Sequence, residues 1–333
     1  MVLSNREKII QLLAQNMHTY VSGQWLSDQL GISRTAVWKQ MKHLEEDGYH
    51  FKAVPNKGYR LIDMPDKVSE NTLFWGLDTD VLGQMLEYHD QLASTQDLAH
   101  TRARENKPDG YLIVADSQTN GRGRLHRAFR SENKNGAWFS FILRPELSPV
   151  EAQKITLLTA VSLVRTIKQK TTLEPKIKWP NDILIGEKKL AGILTEMQAE
   201  QDQIHYMVIG VGVNINQRLE EFPEELREMV TSLLIETNER FKRRYFIQDF
   251  LKHFEVLYQT LLTDGFKSIK QEWEKHAFKL GETLDYRLGE EEKTGVFVGI
   301  HDSGALLIEH EGKTERLYSA DIHWFKGDKK GLL

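Results

Sequence analysis

The sequence contains no cysteine among its 333 residues. That absence excludes a disulfide framework, a thiolate nucleophile and zinc sites with cysteine ligands, and it is typical of a reducing compartment. The first segment also lacks a long apolar run, because Arg6 and Glu7 interrupt it. It is therefore not expected to form a signal peptide or a membrane span. We therefore expect a cytoplasmic protein with no membrane partner.

A strong charge of one sign is missing as well. The 44 lysines and arginines stand against 48 aspartates and glutamates, which gives a formal net charge of −4. Any nucleic-acid-binding surface must then be a local patch rather than a field over the whole molecule. A hydrophobic content of 40% excludes a disordered chain, and the length predicts about two to three domains.

The N-terminal segment has the pattern of a small helical domain followed by a hairpin. Apolar residues at helical spacing predict a first helix ending near Gln15, a second helix is expected from Ser22, and Ser33 is placed to cap a third. Alternating apolar and polar residues flank the Pro-Asn-Lys-Gly turn at 55–58, as in a hairpin. These elements predict a winged helix-turn-helix over residues 1–64.

The third helix of such a domain is the one that enters a major groove of DNA. The residues expected to reach phosphates or base edges lie on this helix and at the tip of the hairpin: Ser33, Arg34, Thr35, Trp38, Lys39 and Lys57. An alternative is a docking or dimerisation module whose lysines are only solvated. Residues 65–80, with Pro65 and scattered charges, are predicted to be a linker.

Beyond the linker, strands and helices alternate without a regular period, which favours a mixed α+β domain. The apolar run 111–115 predicts a buried strand, and it leads into the loop 116–127, where glycines alternate with arginines. Glycines let a main chain come close to a ligand, and guanidinium groups suit carboxylate and phosphate oxygens. An anion-binding loop is the first interpretation, and a basic surface loop is the alternative.

Two further clusters follow this loop. Lys-Trp-Pro-Asn-Asp at 178–182 precedes a predicted hairpin, and Lys189 stands where its second strand becomes apolar. Lys189 is either an ammonium held rigidly in a cleft or an edge charge that discourages aggregation. Gly210 and Gly212 lie inside a strand predicted over 207–215, and they indicate either close approach of a ligand or a bulge or tight packing.

The last third of the chain begins with a helix whose apolar stripe contains Phe246, Phe250 and Phe254, and we expect it to close the central domain. Short strands with turns follow, for example at 294–300 and 305–308. They predict a small SH3-like β-barrel.

Five motifs in this order resemble those of the biotin protein ligases, in particular the bifunctional class that also represses the biotin operon. They are Ser94-Thr-Gln96, Gln118-Thr-Asn-Gly-Arg-Gly-Arg124, Lys178-Trp-Pro-Asn-Asp182, Lys189-Leu-Ala-Gly-Ile193 and Gly210-Val-Gly-Val-Asn214. The resemblance covers nearly the whole chain. It implies a central ligase domain at 81–272 and a C-terminal SH3-like domain at 273–333.

The resemblance also implies a reaction and the residues that perform it. Biotin and ATP, with Mg²⁺, would give biotinyl-adenylate, and a lysine of a biotin carrier protein would then accept the biotinyl group. Biotin would be bound by Ser94, Thr95, Gln96, Gln118, Gly121, Arg122, Gly123, Arg124, Lys189, Gly192 and Ile193. ATP or the adenylate would be bound by Arg122, Arg124, Arg127, Phe129, Lys178, Asn181, Lys189 and Asn214. Catalysis is assigned to Lys189, Arg122 and Arg124, and Asp182 is a candidate magnesium ligand.

In this class, a dimer formed when adenylate is bound would place two winged domains on a palindromic operator. Two departures from the family pattern concern the site: Gln96 stands where asparagine is frequent, and Phe129 where tryptophan is frequent. Phe129 keeps an aromatic face for the adenine but lacks the indole donor. A ligand-sensing repressor without activity and a lipoate or octanoate ligase of the same fold remain alternatives.

Overall fold

The structure is a computed structural model that describes residues 5–16, 18–65 and 68–325. The chain forms two compact units. One consists of the described residues up to Asp78 together with Lys242–Gln248, and the other of Thr79–Phe241 and the described residues from Asp249 onward.

The first unit contains three helices followed by a two-stranded sheet. Their bounds are α1 Asn5–Gln15, α2 Gly23–Leu30, α3 Arg34–Glu46, β1 His50–Val54 and β2 Gly58–Asp63. Ser22 and Ser33 cap α2 and α3, each accepting a hydrogen bond from a backbone N–H three residues on. Gly31 ends α2 with a φ of +65°, which a residue with a side chain adopts only with strain.

The apolar stripes of these helices meet in one core. Leu13, Leu26, Val37 and Leu44 are among its buried members. The two strands pair antiparallel, and the Tyr59 backbone also pairs with Val21, just before α2. The predicted winged helix-turn-helix is confirmed.

The predicted linker at 65–80 is not an extended connection. Helix α4, Glu70–Phe74, lies within it and is capped by Ser69, and Leu73 is buried. Gln248 Nε2 donates hydrogen bonds to the backbone carbonyl groups of Leu73 and Trp75 at 2.7 and 2.6 Å. The interpretation as a linker missed this helix, although its capping residue Ser69 directly precedes it, because its partner Gln248 lies 175 residues from Leu73.

The second unit is built on a seven-stranded sheet. Its strands are β3 Leu86–His89, β4 Leu112–Ala115, β5 Ala137–Leu143, β6 Pro175–Lys178, β7 Asp182–Ile185, β8 Lys188–Glu200 and β9 Gln203–Val213. Their order is β3-β4-β5-β9-β8-β7-β6. Only β3 and β4 run parallel, and the other neighbours are antiparallel. This arrangement confirms the predicted mixed α+β domain.

Helices cover this sheet and connect it to the C-terminal part. They are α5 Thr95–Arg104, α6 Ala152–Lys170, α7 Leu233–Thr237, α8 Arg243–Asp264 and α9 Lys267–Lys275. Phe254 of α8 packs edge-on against Phe141 of β5 at 4.9 Å between ring centroids, and Phe250 packs on Phe139 at 5.3 Å. Helix α8 therefore covers the central sheet, as its apolar stripe predicts.

A second sheet follows α9. Its strands are β10 Thr283–Leu288, β11 Glu291–Ile300, β12 Leu306–His310, β13 Lys313–Leu317 and β14 Asp321–His323. They pair antiparallel in the order β13-β12-β11-β10-β14. The short strands predicted here are confirmed, while the SH3-like domain boundary at 273 stays a prediction. Among the described residues, no helix is long and apolar enough to cross a bilayer.

Candidate functional site

Two lysines share one buried carboxylate where β6, β7 and β8 meet. Lys189 Nζ lies 2.8 Å from Asp182 Oδ1, and Lys178 Nζ lies 3.3 Å from Oδ2. Burial by itself raises the pKa of Asp182, but attraction to Lys189 and Lys178 outweighs it and leaves the pKa below the ordinary value. The group therefore carries one negative and two positive charges, which leaves a surplus positive charge for an anionic ligand.

The main chain of Lys189 is held as firmly as its side chain. Its N–H donates to the Met229 carbonyl at 2.8 Å, and its carbonyl accepts from the Thr231 N–H at 2.9 Å. Asn214, at the end of β9, donates its side-chain amide to the Thr231 carbonyl at 3.0 Å. The segment 229–231 is thus a support of the lysine that the sequence analysis did not single out.

The glycine-arginine loop forms a hairpin, here called the strap and defined as residues 118–131. Its base is paired through hydrogen bonds from Gln118 N to the Ser131 carbonyl, from Phe129 N to the Gly121 carbonyl and from Gly123 N to the Arg127 carbonyl, each 2.8 Å long. At the tip, Leu125 has a φ of +54° and is 82% exposed. The strap has a paired base and an exposed tip.

The glycines of the strap have different environments. A Cβ on Gly121 would overlap the Ser131 hydroxyl and the Phe129 carbonyl, so the fold of the strap itself requires a glycine there. Gly123 meets only the Arg127 carbonyl, at 3.8 Å. Gly123 is therefore the one of the two whose open side is free for a ligand.

Arg122 is bound by two carboxylates. Its Nη1 and Nη2 donate to the two oxygens of Glu196 at 2.6 and 2.9 Å, and Nε and Nη2 donate to Asp97 Oδ1 at 3.1 and 2.8 Å. These bonds, to Glu196 first, raise the pKa of Arg122 above its ordinary value. Neither carboxylate partner was predicted from the sequence.

Arg124 and Arg127 lie at the exposed tip of the strap. Desolvation lowers the pKa of the Arg124 guanidinium, while Asp182 raises it and Arg127 lowers it. Phe129 of the strap, whose ring centroid is 5.8 Å from Lys189 Nζ, places the strap beside the lysine pair.

The Phe129 ring lies on two glycines paired across β8 and β9. A Cβ on Gly212 would stand 2.5 Å from the ring and one on Gly192 3.2 Å from it. Trp138 meets the same ring edge-on at 5.7 Å, and Lys189 Nζ lies 5.8 Å from its centroid. The glycines inside these strands are thus explained by tight packing, one of the two interpretations of their sequence pattern.

The N-terminus of α5 supplies a polar cluster, which Ser131 connects to the backbone carbonyl of Phe129 at 3.2 Å. The Thr95 N–H donates to Gln118 Oε1 at 2.7 Å, Gln118 Nε2 donates to the Ser131 hydroxyl at 3.1 Å, and Ser94 caps the helix. Thr95 Oγ1 lies 2.8 Å from Ser140 Oγ. These buried groups are hydrogen-bonded within the protein, as buried polar groups generally are.

Three predicted site residues have amides engaged by the protein. Gln96 donates to Glu196 at 3.0 Å and to the Val208 carbonyl, and its own carbonyl fills the space that a side chain at Gly210 would need. Asn181 donates to the Ile193 carbonyl at 2.7 Å. Asn214 is likewise bound to Thr231, so all three amides hold parts of the protein together. Contacts of these amides with a ligand stay predictions.

The predicted metal site does not fit the residues present. Both oxygens of Asp182 face ammonium groups, and a cation there would have to displace a lysine. Within the described ranges, no group of three histidine, aspartate or glutamate side chains could hold a metal ion.

Helix α3 presents its predicted DNA-contacting residues to solvent. Arg34, Thr35, Trp38 and Lys39 are exposed, and Lys57 is exposed at the tip of the hairpin. Later on the helix the charge of Lys42 is compensated by Glu45 at 2.8 Å, and His43 Nδ1 lies 3.1 Å from Glu46 Oε2. These pairs are exposed. The uncompensated positive charge lies in the first half of α3, which is the part of a recognition helix that contacts base edges.

Comparison with known proteins gives the family. Three family models match: the biotin/lipoate A/B protein ligase family over residues 88–214, an HTH domain over 5–60 and the biotin protein ligase C-terminal domain over 280–323. The chain is 46% identical over 317 residues to the bifunctional ligase/repressor BirA of Bacillus subtilis (strain 168), covering 95% of this chain and 98% of that protein. It belongs to the family of bifunctional biotin ligase/repressors.

More distant members agree. The bifunctional ligase/repressor BirA of Escherichia coli (strain K12) is 27% identical over 305 residues, covering 92% of each chain. A biotin protein ligase from Aquifex aeolicus, solved in complex with biotin and ATP, matches at a TM-score of 0.62 and 31% identity and covers 72% of this chain and 98% of its own. The bifunctional ligase/repressor family therefore accounts for all three parts of the chain.

Proposed function

We propose that this biotin ligase/repressor joins biotin to a lysine of the biotin carrier domain of a biotin-dependent carboxylase, in two steps. The biotin carboxylate attacks the α-phosphorus of ATP, the bond to the β-phosphate oxygen breaks, and pyrophosphate leaves. The amine of the carrier lysine then attacks the acyl carbon of biotinyl-adenylate, and AMP leaves with its bonding electrons. The observation that carries this proposal is the pair of lysines around Asp182, one of which lies 5.8 Å from the ring of Phe129 in the strap.

Biotin has an apolar ring with a urea edge, so its site needs an apolar wall and a few fixed polar groups. Gly192 and Ile193 supply the wall in this proposal, and Phe129 supplies an aromatic face for the adenine. Thr95 and Gln118, with Ser94, supply the donors and acceptors for the urea, and they already bond to one another. Gly121 and Gly123 bring the main chain of the strap beside them.

Adenylation brings two anions together, and negative charge develops on the leaving pyrophosphate. Lys189 and Lys178 carry more positive charge than Asp182 neutralises, so they are placed to stabilise it. Arg124 and Arg127 would approach the phosphates from the tip of the strap. Holding carboxylate and phosphorus in line is worth roughly 7 to 11 kcal/mol when the geometry is fixed, and paired strands provide such a fixed frame.

Magnesium enters this proposal with the nucleotide. Because the described residues offer no cluster of ligands, Mg²⁺ would arrive bound to the phosphates of ATP, as part of the substrate. We assign Asp182 to orienting Lys178 and Lys189 instead.

The winged domain supports the second role, repression. We infer that biotinyl-adenylate favours a homodimer whose two α3 helices bind a palindromic operator, since a twofold axis in the protein then matches one in the DNA. By thermodynamic linkage, a ligand that stabilises the dimer raises operator affinity. Operator DNA and carrier protein as partners imply a cytoplasmic location.

The ligase proposal is tested by incubating the full chain with labelled biotin, ATP, Mg²⁺ and a purified biotin carrier domain, and following label on the carrier. We expect transfer that requires ATP and the carrier lysine. A carrier whose lysine is replaced by arginine is the control. Transfer of lipoate but not of biotin would contradict the proposal.

A further inference from the structure

Arg122 uses almost all of its hydrogen-bonding capacity inside the protein. A guanidinium group has five N–H donors. Arg122 directs Nε, Nη1 and Nη2 to Asp97 and Glu196, in four contacts between 2.6 and 3.1 Å. A bound anion would therefore have to compete with two carboxylates for this group.

Glu196 is itself fixed from two other directions. His100 Nε2 lies 3.1 Å from Glu196 Oε2, and Gln96 Nε2 donates to the same oxygen at 3.0 Å. The Ser140 hydroxyl in turn donates to the Gln96 carbonyl at 3.2 Å. Glu196 is thus a rigid acceptor on β8, held by residues from α5 and, through Gln96, from β5.

The charges around Arg122 also differ from those around Lys189. One guanidinium faces two carboxylates here, whereas two ammonium groups share one carboxylate at Asp182. The Arg122 cluster has no surplus positive charge, so it is poorly suited to neutralise a phosphate. Arg122 is, however, at the paired base of the strap, next to Gly121 and Gly123.

We propose that Glu196 and Asp97 are positioning residues, which hold Arg122 and thereby keep the base of the strap in register with the biotin slot formed by Thr95 and Gln118. The inference rests on the proposed ligase function and deepens it. In this arrangement Arg124, at the tip, is the arginine whose charge is available to the phosphates. The ion pairs of Arg122 position the base of the strap, and Lys178 and Lys189 supply positive charge for the phosphates.

The decisive variant is Glu196→Gln in the full chain. Glutamine keeps the size of the side chain but replaces one carboxylate oxygen by an NH₂ group, which then faces either Arg122 Nη1 or the groups on the other oxygen, Arg122 Nη2, Gln96 Nε2 and His100 Nε2. We expect the biotin KM to rise about tenfold or more, because small misplacements of a binding group have effects of this order, and kcat to fall less. The ratio of AMP released to carrier biotinylated should also rise, because a misplaced strap excludes water from the adenylate less well.

Glu87→Gln is the matched control. Glu87 also accepts two hydrogen bonds from an arginine, Arg102 of α5, and one from a histidine, His89, and its further partner among the described residues is the Tyr111 hydroxyl, outside the site. The same chemical change there should leave the biotin KM and the AMP ratio at their wild-type values. Asp97→Asn, which weakens the clamp at its other end, should shift both in the same direction by a smaller factor.

The outcomes separate the two proposals. Absence of transfer by the wild-type chain would remove the proposed function. Wild-type transfer with an unchanged KM and AMP ratio in Glu196→Gln would overturn only the positioning role, as would an equal change in Glu87→Gln. If Glu196→Gln does not fold, as judged by thermal unfolding, Asp97→Asn decides: a folded variant with wild-type KM and AMP ratio overturns the inference.

Discussion

Lys189 and Asp182 form an ion pair across neighbouring strands, with Nζ of the lysine 2.8 Å from Oδ1 of the aspartate. The carboxylate is buried and has a second lysine, Lys178, on its other oxygen. A lone buried carboxylate would be costly, and two cations around one carboxylate give a site that is positive and yet rigid. This relationship, rather than either lysine alone, makes the start of β8 suited to a phosphate group.

Lys189→Ala should slow adenylate formation by about a hundredfold or more, the usual effect of removing one positioned group that stabilises developing negative charge. The fold should persist, because the main chain of Lys189 stays bonded to Met229 and Thr231, and Asp182 keeps Lys178. Single-turnover release of pyrophosphate in the presence of biotin measures the step. Lys188→Ala is the control, since adjacent strand residues point to opposite faces, and an equal loss in both variants would contradict the assignment.

Glu87 gives a prediction about stability and pH. Hydrogen bonds from Arg102, opposed by burial and helped by His89, lower the pKa of Glu87 to about 2. In the unfolded chain the pKa of this carboxyl group is about 4.3. Ionised Glu87 therefore stabilises the fold fully at pH values above about 4.3, and this contribution is lost as the pH falls toward 2. Wild type and Glu87→Gln should therefore differ by at most about 3 kcal/mol in free energy of unfolding at pH 7, with a difference that shrinks below pH 4. Urea unfolding of both across this range tests it; a difference independent of pH would refute the ion pair.

Much of the fold follows from local signals in the sequence. Ser22 and Ser33 mark helix starts by side chains that bond three residues away, and the hairpin of the wing is encoded within a few residues of its turn. Short-range chemistry of this kind needs no knowledge of the tertiary structure. The confirmed helix starts and the hairpin β1–β2 were predicted from such short-range signals.

The site was predicted as a set of residues but not as a set of contacts. The partners of Arg122 lie 25 and 74 residues away, and the segment that holds Lys189 lies some forty residues downstream, so no spacing rule connects them. The same holds for Phe129, whose place on Gly192 and Gly212 depends on strand register. Glycine inside a strand was the one signal of a close contact that the sequence did contain.

Gly212→Ala should disturb the site through Phe129. The new Cβ would lie 2.5 Å from the ring, so the ring must move, at a cost of roughly 1–3 kcal/mol in stability. We expect a higher biotin KM as well. Adding Phe129→Leu to this variant should restore part of the stability lost, because the smaller side chain vacates the contested space. Thermal unfolding of both single variants and the double variant gives the coupling, and strict additivity would show that the two positions do not meet.

The DNA-binding helix gives a prediction with a built-in control. Arg34→Ala and Lys39→Ala should weaken operator binding and reduce its salt dependence by about one unit of slope for each lost phosphate contact. Lys42→Ala should do so less, because Lys42 is paired with Glu45 on the same helix. Fluorescence anisotropy on labelled operator at several salt concentrations, with biotinyl-adenylate present, makes the comparison. Carrier biotinylation should be unchanged in all three, and equal loss of DNA binding would refute the predicted division of the helix.

The compensated charges in the second half of α3 have a consequence for a protein with two tasks. Attraction to the backbone of bulk chromosomal DNA grows with each unpaired cation and would sequester copies on sequences of no regulatory value. The pair Lys42–Glu45, together with a formal net charge of −4, keeps that attraction weak. Molecules that are not bound to an operator thus remain free to diffuse and to bind carrier proteins that are not yet biotinylated.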